Sequence, residues 1–320
     1  MKLAVIFPGQ GSQYVGMGQE LFETKEGAEA WKIGKIALGE SFLKMLESGP
    51  DDELNRTENT QPAVLLVSIA AYWVWKARLI KEGIWNEYAP AYFAGHSLGE
   101  YSAYVAAGSL PLADALRLVR RRGELMEKAV PEGQGCMAAI LGLDEKKVES
   151  ICNEEGICHD LVEIANYNCP GQIVISGTRA GVEGAVSKAR AQGAKRALPL
   201  SVSGPFHSSL MAPAGIELGE ELKKINFFAP ERPVIANVDG MEVTEAARIR
   251  NTLMAQVSGS VQWEKSVRYL RDAGIEQFVE CGPGRVLTGL VKKILPSVCV
   301  TQVGDLSSLE KSLAYLKESR

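Results

Sequence analysis

The sequence lacks the features that would point to several whole classes of function. Its six cysteines among 320 residues are irregularly spaced, without a Cys-x-x-Cys pair, which argues against a zinc ribbon or a disulfide framework and is typical of free thiols in a reducing cytoplasm. No basic segment leads into a long apolar run near the start, so a secretory leader is not expected. The longest apolar stretch, 62–75, is too short to span a bilayer and predicts a buried core helix. A net charge of -4 without a basic face argues against nucleic acid as a partner.

A short apolar run at 91–94 ends in Gly95-His96-Ser97-Leu98-Gly99, and a helical pattern follows at once. Glycine at both flanks removes the Cβ atoms that would collide where a strand turns sharply into a helix, so this pattern is typical of a nucleophile elbow. Ser97 is therefore the candidate nucleophile. The amide of Leu98, at the start of the helix, is placed to stabilise an oxyanion.

A glycine-rich turn, Pro8-Gly9-Gln10-Gly11, follows the predicted first strand at 3–7. It departs from the dinucleotide-binding pattern because Tyr14 stands where the third glycine belongs. Open α/β sheets place ligands at the carboxyl ends of their strands, where this turn lies. The amide of Gln10 is therefore the candidate second oxyanion donor.

The chain has three histidines, which makes the search for the base of Ser97 short. His96 is adjacent to Ser97 and projects in a different direction on a tight turn, so it is expected to orient local structure. His159 lies in a polar loop and is expected at the surface. His207, in a Gly-Pro turn before a helix, is the candidate base, and a backbone carbonyl or a neutral amide is expected to fix its tautomer.

A helix predicted from Leu112 to about Lys128 carries three successive arginines. At about 100° per residue, its apolar positions average to a direction that lies about 40° from Arg122 and more than about 100° from Arg120 and Arg121. Arg122 is therefore expected to point inward, where a guanidinium needs an anionic partner. That partner is either a ligand carboxylate or a distant Asp or Glu of the chain itself.

The order of elements predicts an α/β fold with a parallel sheet and a ferredoxin-like (βαββαβ) insert. The large domain comprises 1–130 and 203–320, with helices at 20–38 and 60–80, the second capped by Asn59 or Thr60. The small domain comprises 131–202, and its turn at 166–171 is expected to overhang the cleft between the domains. The small domain's predicted elements are strand 136–141, helix 144–154, strands 161–165 and 172–176, helix 179–192 and strand 195–200.

The motifs together resemble the malonyl-CoA:acyl carrier protein transacylase family over nearly the whole chain. The segments that carry the resemblance are 7–13, 95–100, 166–172, 204–208, 261–263 and 280–284. The resemblance implies an α/β-hydrolase-like large domain in which malonyl-CoA acylates Ser97 and His207 is the base. It further implies that Arg122 holds the malonyl carboxylate, that the main-chain carbonyl of Gln262 orients the histidine, and that Gln10 and Leu98 form the oxyanion hole. Where family members often read Asn-Pro-Val-Gln-Trp, this chain has Gly259 and Ser260 before Val-Gln-Trp.

The function that the resemblance implies is transfer of malonyl from malonyl-CoA to the phosphopantetheine thiol of acyl carrier protein, supplying fatty acid biosynthesis. A cytoplasmic monomer without cofactor or metal is expected, and the ring of Phe206, beside the base, is expected to crowd the α-carbon of the acyl group. The alternatives are a polyketide-pathway acyltransferase, a serine esterase or thioesterase, and a binding module without activity. An interior Arg122 favours transfer of a dicarboxylic acyl group, because a hydrolase has no need of it.

Overall fold

The computed structural model describes residues 2–131, 133–158 and 161–318, and the predicted surface position of His159 lies outside them. The strands are β1 (Lys2–Phe7), β2 (Tyr92–Gly95), β3 (Gly135–Leu141), β4 (Val162–Cys169), β5 (Gln172–Thr178), β6 (Arg196–Pro199), β7 (Val234–Ile235), β8 (Glu242–Val243), β9 (Ile275–Cys281) and β10 (Cys299–Val303). The helices are α1 (Gln19–Phe22), α2 (Lys25–Leu38), α3 (Glu40–Ser48), α4 (Asp51–Asn55), α5 (Thr57–Lys81), α6 (Trp85–Tyr88), α7 (Gly99–Ala106), α8 (Leu112–Ala129), α9 (Glu145–Cys158), α10 (Arg179–Ala191), α11 (Ala212–Lys223), α12 (Ala246–Gln256), α13 (Trp263–Asp272), α14 (Val286–Ile294) and α15 (Leu306–Glu318).

The larger sheet has the strand order β10-β9-β1-β2-β7-β8 in the described chain. β1 pairs in parallel with both β2 and β9, and only the short β8 runs antiparallel to its neighbour. Leu3 to Phe7 are all buried, as expected for a parallel strand that is covered on both faces. The α/β prediction with a parallel sheet is confirmed.

The smaller sheet is antiparallel, with the order β4-β5-β3-β6. Its apolar face forms a core of its own with α9 and α10, to which Ile140, Val148 and Val182 contribute. The order β-α-β-β-α-β along the chain and this strand order give the ferredoxin-like arrangement expected from the sequence.

The first two helices predicted in the sequence begin or break differently in the structure. The pattern at 20–38 is interrupted at Thr24, whose hydroxyl caps α2 by accepting a hydrogen bond from the amide of Gly27 at 3.1 Å. α5 begins at Thr57, so neither Asn59 nor Thr60 is its cap. Both side chains lie in the first turns and donate back to the carbonyls of Glu53 and Leu54, an alternative use of short polar side chains near a helix start.

α5 lies in the main hydrophobic core, to which its residues from Ala63 to Leu79 contribute. By length and composition it would be able to cross a membrane, but 72% of its most apolar window is buried inside the fold. The expectation that this apolar segment is too short to span a bilayer is wrong, because the helix extends beyond 62–75 at both ends. The prediction of a buried core helix is confirmed, since packing covers its apolar surface. Pro62 lies within its first turns.

β4 of the smaller sheet is hydrogen-bonded to the segment that precedes α13. The amide of Tyr167 donates to the carbonyl of Val261 at 3.0 Å, and the amide of Val261 donates to the carbonyl of Ala165 at 2.8 Å. β4 extends to Cys169, so the predicted turn at 166–171 is wrong for its first four residues. The strand continues there because these backbone bonds to the segment around Val261 give it a second partner. Even so, Asn166 reaches the cavity described next.

Candidate active site

Ser97 lies on a tight turn between β2 and α7. Its backbone φ is 50°, a left-handed conformation that costs a residue with a side chain about 1 to 3 kcal/mol. A Cβ on Gly95 would lie 1.9 Å from the carbonyl group of Gly99, and a Cβ on Gly99 would lie 2.0 Å from the carbonyl oxygen of Phe7. Only glycine fits at either position, which explains the Gly-x-Ser-x-Gly spacing.

Hydrogen bonds from two side-chain amides hold this strained turn in place. Asn237, just after β7, accepts from the amide of Ser97 at 2.6 Å and donates to the carbonyl of Gly95 at 2.7 Å. Gln256, at the end of α12, donates to the carbonyl of Ser97 at 2.9 Å. These bonds hold the turn on both sides of the serine.

His207 faces the serine from the loop before α11. Its Nε2 lies 2.7 Å from Ser97 Oγ, and its Nδ1 lies 2.9 Å from the carbonyl oxygen of Gln256 and 3.1 Å from that of Gly259. Since a carbonyl can only accept, Nδ1 carries the proton and Nε2 is left with a lone pair for the serine hydroxyl. The arrangement makes His207 able to take the proton of Ser97.

The residue implied to orient the histidine, Gln262, does not do so. Its carbonyl accepts from the amide and the hydroxyl of Ser266, because Gln262 is the N-cap of α13 and its carbonyl begins the hydrogen bonding of that helix. The carbonyls of Gln256 and Gly259 take the orienting position instead. The expectation of a backbone carbonyl was correct in kind, and its assignment to Gln262 was wrong.

Burial and then the positive charge of Arg122 lower the pKa of His207 from 6.5 to about 3, against the raising effect of the carbonyls of Gln256 and Gly259. The imidazole is therefore neutral, as a base must be. His96 is partly exposed to the cavity described below, and desolvation by the surrounding protein lowers its pKa. Its Nε2 lies 2.8 Å from Oδ1 of Asn168, and its ring packs near Trp263, so it links the elbow to β4.

Arg122 is 1% exposed, as the helical periodicity of α8 predicted. Arg120 and Arg121, by contrast, are partly exposed and both pair with Glu124. The guanidinium of Arg122 donates to Gln61 Oε1 at 2.7 Å, to Gln256 Oε1 at 3.0 Å and to Ser97 Oγ at 3.2 Å. Within the described part of the chain no carboxylate forms a salt bridge with it, and its Nε has no hydrogen-bond partner. A buried cation directed at the nucleophile is therefore open to an anionic ligand.

A cavity of about 530 Å³ opens over Ser97. This is the size of a typical small-molecule site. Its lining includes residues of the smaller sheet and residues from the segments around the larger sheet. Gln10, Leu98 and Phe206 all line it. Among the described residues, neither the amide of Gln10 nor that of Leu98 donates a hydrogen bond to the protein. The remaining apolar lining consists of Met126, Met137, Leu200 and Val202.

Sequence reasoning missed four buried polar residues of this site: Gln61, Glu100, Asn237 and Gln256. All are at most 1% exposed. Gln61 and Glu100 left a weak signal, since Gln61 directly precedes the apolar run 62–75 and Glu100 lies in a short helix that is mostly apolar. The backbone role of Gln256 left none, because a sequence pattern carries no information on where a carbonyl points.

Known proteins similar to this chain share its full length. The family model described as an acyl transferase domain matches residues 5–310. The chain is 45% identical over 313 residues to the malonyl CoA-acyl carrier protein transacylase of Escherichia coli (strain K12), covering 98% of this chain and 99% of that protein. It is 46% identical over 321 residues to the protein of the same name from Bacillus subtilis (strain 168), covering 99% and 98%.

Solved structures give the same result for the fold. An acyl-carrier-protein S-malonyltransferase from Burkholderia pseudomallei 1710b superposes with a TM-score of 0.92 at 44% identity, covering 98% of this chain and all of that one. A malonyl-transacylase solved in complex with its type II polyketide synthase acyl-carrier protein superposes with a TM-score of 0.91 at 41% identity, covering 98% and 100%.

Proposed function

The chain belongs to the acyl transferase domain family, and from that premise we propose that it transfers malonyl through a malonyl ester of Ser97. It is an acyltransferase that moves the malonyl group from malonyl-CoA to the phosphopantetheine thiol of acyl carrier protein. The proposed role of this transfer is to supply fatty acid biosynthesis. We further propose the residues that carry out each step.

One observation supports the proposal most strongly: Ser97 Oγ lies 2.7 Å from Nε2 of His207 and 3.2 Å from Nη2 of the buried Arg122. In a malonyl thioester a single carbon separates the reacting carbonyl from the free carboxylate. A guanidinium that already touches the nucleophile is therefore within reach of that carboxylate when the serine attacks. The fork geometry of arginine suits a carboxylate.

In the first half-reaction, the proton of Ser97 passes to His207 Nε2 while Oγ attacks the thioester carbonyl of malonyl-CoA. The amides of Gln10 and Leu98 stabilise the oxyanion of the tetrahedral intermediate. The carbon–sulfur bond then breaks, and the proton on Nε2 passes to the departing sulfur. The products are malonyl-Ser97 and free coenzyme A.

In the second half-reaction the thiol of the carrier protein repeats these steps in reverse. Its proton passes to His207 Nε2, its sulfur attacks the ester carbonyl, and Ser97 Oγ leaves and recovers the proton. Because the neutral histidine takes and returns one proton in each half-reaction, the cycle needs no cofactor and no metal.

Two selectivity roles complete the proposal. Arg122 selects acyl groups with a free carboxylate, since a neutral acyl chain leaves the guanidinium without an anionic partner. Phe206, which is 5% exposed beside the base, crowds the α-carbon and disfavours a branched acyl group.

We also propose how the protein is organised and where it works. Residues 131–202 form an inserted domain, which the separate sheet and separate core of that region support. The large domain comprises 1–130 and 203–320. The protein is proposed to act in the cytoplasm as a monomer that binds neither nucleic acid nor membrane, and the free thiols of Cys136, Cys152, Cys169, Cys281 and Cys299 support a reducing compartment.

Intact mass spectrometry with and without a carrier protein tests the proposal. The chain mixed with malonyl-CoA should gain the mass of one malonyl group, and addition of a phosphopantetheine-bearing carrier protein should move that mass to the carrier. Release of free malonate instead, with no gain by the carrier, would identify a thioesterase and overturn the proposal.

A further inference from the structure

Glu100 is a fully buried carboxyl group beneath the nucleophile. It lies in the first turn of α7, three residues after Ser97, and is 0% exposed. It does not line the cavity over Ser97, so it does not meet the substrate. A carboxyl group that is kept in the interior at such a desolvation cost calls for an explanation in its partners.

Those partners are the two residues that fasten the elbow. Glu100 Oε2 accepts from the backbone amide of Asn237 at 2.9 Å and from Nε2 of Gln256 at 2.7 Å. Its Oε1 lies 3.4 Å from the hydroxyl of Tyr104. One oxygen atom thus joins the segment after β7 to the end of α12.

Each of the two partners controls reacting groups. Asn237 holds the amide of Ser97. Gln256 does more: its side chain binds the carbonyl of Ser97 and the guanidinium of Arg122, and its own carbonyl accepts from Nδ1 of His207. A shift of Gln256 would therefore displace the nucleophile, the base and the arginine together.

We propose that Glu100 is a positioning residue, which acts through Gln256 and Asn237 to hold Ser97, His207 and Arg122 in their mutual arrangement. The inference rests on the proposed roles of Ser97 and His207. It assigns Glu100 no contact with substrate and no part in proton transfer.

What this role requires of Glu100 is an acceptor oxygen at the right distance. Burial raises the pKa of Glu100 to about 7, against the hydrogen bonds from Asn237 and Gln256 and the charge of Arg122, which lower it. In either protonation state one oxygen remains free to accept from both amides. Glutamine offers a carbonyl oxygen at the same reach, whereas aspartate keeps the charge and withdraws its oxygens by one methylene. The two substitutions therefore separate position from charge.

The test measures how fast a fluorophosphonate probe labels Ser97, because this reports the alignment of serine and base without any acyl donor. Glu100→Gln should label within a few-fold of wild type. Glu100→Asp and Glu100→Ala should label about 10²-fold more slowly, the loss typical of an ångström-scale misplacement. Ser102→Ala is the matched control: Ser102 is equally buried on α7, and its hydroxyl has no hydrogen-bond partner among the described residues. It should label at the wild-type rate.

A double-mutant cycle tests the route. If Glu100 acts through the side chain of Gln256, combining Glu100→Ala with Gln256→Ala should slow labelling by less than the product of the two single effects. Multiplicative effects would overturn the inference, as would wild-type labelling of Glu100→Asp or a Glu100→Gln variant as slow as Glu100→Asp. If Glu100→Ala does not fold, the labelling rates of Glu100→Gln and Glu100→Asp still test the inference, because the Gln variant should be labelled faster than the Asp variant. A wild-type chain that labels in this Glu100-dependent way but takes up no malonyl would leave the inference standing and refute the proposed function.

Discussion

Replacing Arg122 with alanine should abolish the preference for malonyl over acetyl groups. The guanidinium is 1% exposed and donates hydrogen bonds to neutral oxygens of Gln61, Gln256 and Ser97. Among the described residues no carboxylate is bonded to it directly, so a bound malonyl carboxylate supplies a direct anionic partner. Truncating one member of a buried, hydrogen-bonded charge pair costs about 2 to 5 kcal/mol. At about 1.4 kcal/mol for each factor of ten, the malonyl rate should fall by roughly 30- to 4,000-fold.

Acetyl-CoA gains nothing from the guanidinium, so its rate should change far less. The assay compares initial rates of Ser97 acylation from both thioesters on wild type, Arg122→Ala and Arg122→Lys. Lysine keeps the charge without the planar fork and should fall between the other two. Melting curves of the three proteins control for loss of fold. An unchanged malonyl-to-acetyl ratio in Arg122→Ala would mean that the arginine is structural, and would refute the reasoning.

Three further predictions concern the base and the pocket. His207→Ala should lower turnover by roughly 10²- to 10⁴-fold, the usual effect of losing a general base, with the fold retained. Steady-state kinetics should be measured on this variant and on His96→Ala. If only the His96 variant were inactive, the assignment of His207 as the base would be wrong. The lowered pKa of His207 keeps the base neutral in acid, so acylation at saturating malonyl-CoA should stay level from about pH 8 to about pH 5.5, where a histidine of ordinary pKa would be only about one-tenth neutral; a tenfold fall over that range would contradict it. Phe206→Ser should raise the methylmalonyl rate relative to malonyl by an amount worth about 1 to 3 kcal/mol, and an unchanged ratio would remove Phe206 from selectivity.

Much of the site could be predicted because its local backbone geometry and side-chain direction depend on which residue types occupy nearby positions. The paired glycines at 95 and 99 are needed wherever a strand turns so sharply into a helix, and the structure shows both close approaches. The inward direction of Arg122 followed from helical periodicity alone. The ferredoxin-like order followed from alternating strand and helix patterns, although strand and helix ends differed by several residues.

What could not be predicted depends on backbone direction and on contacts between distant segments. The histidine is oriented by carbonyls at 256 and 259, and no side-chain pattern reveals where a carbonyl points. The assignment of Gln262 as the residue that orients the histidine was wrong, because Gln262 begins α13 and its carbonyl is hydrogen-bonded within that helix. Glu100 and Asn237 are 137 residues apart along the chain, so their bond follows only from the assembled fold.

The most direct test of the central claim is to locate the malonyl group on the protein. Wild type and Ser97→Ala would each be mixed with malonyl-CoA, quenched in acid, digested and mapped by mass spectrometry. One malonyl group is expected on the peptide that contains Ser97 in wild type, and none on the Ser97→Ala variant. A malonyl adduct that persists on the variant, or that maps in wild type to another residue, would contradict the central claim.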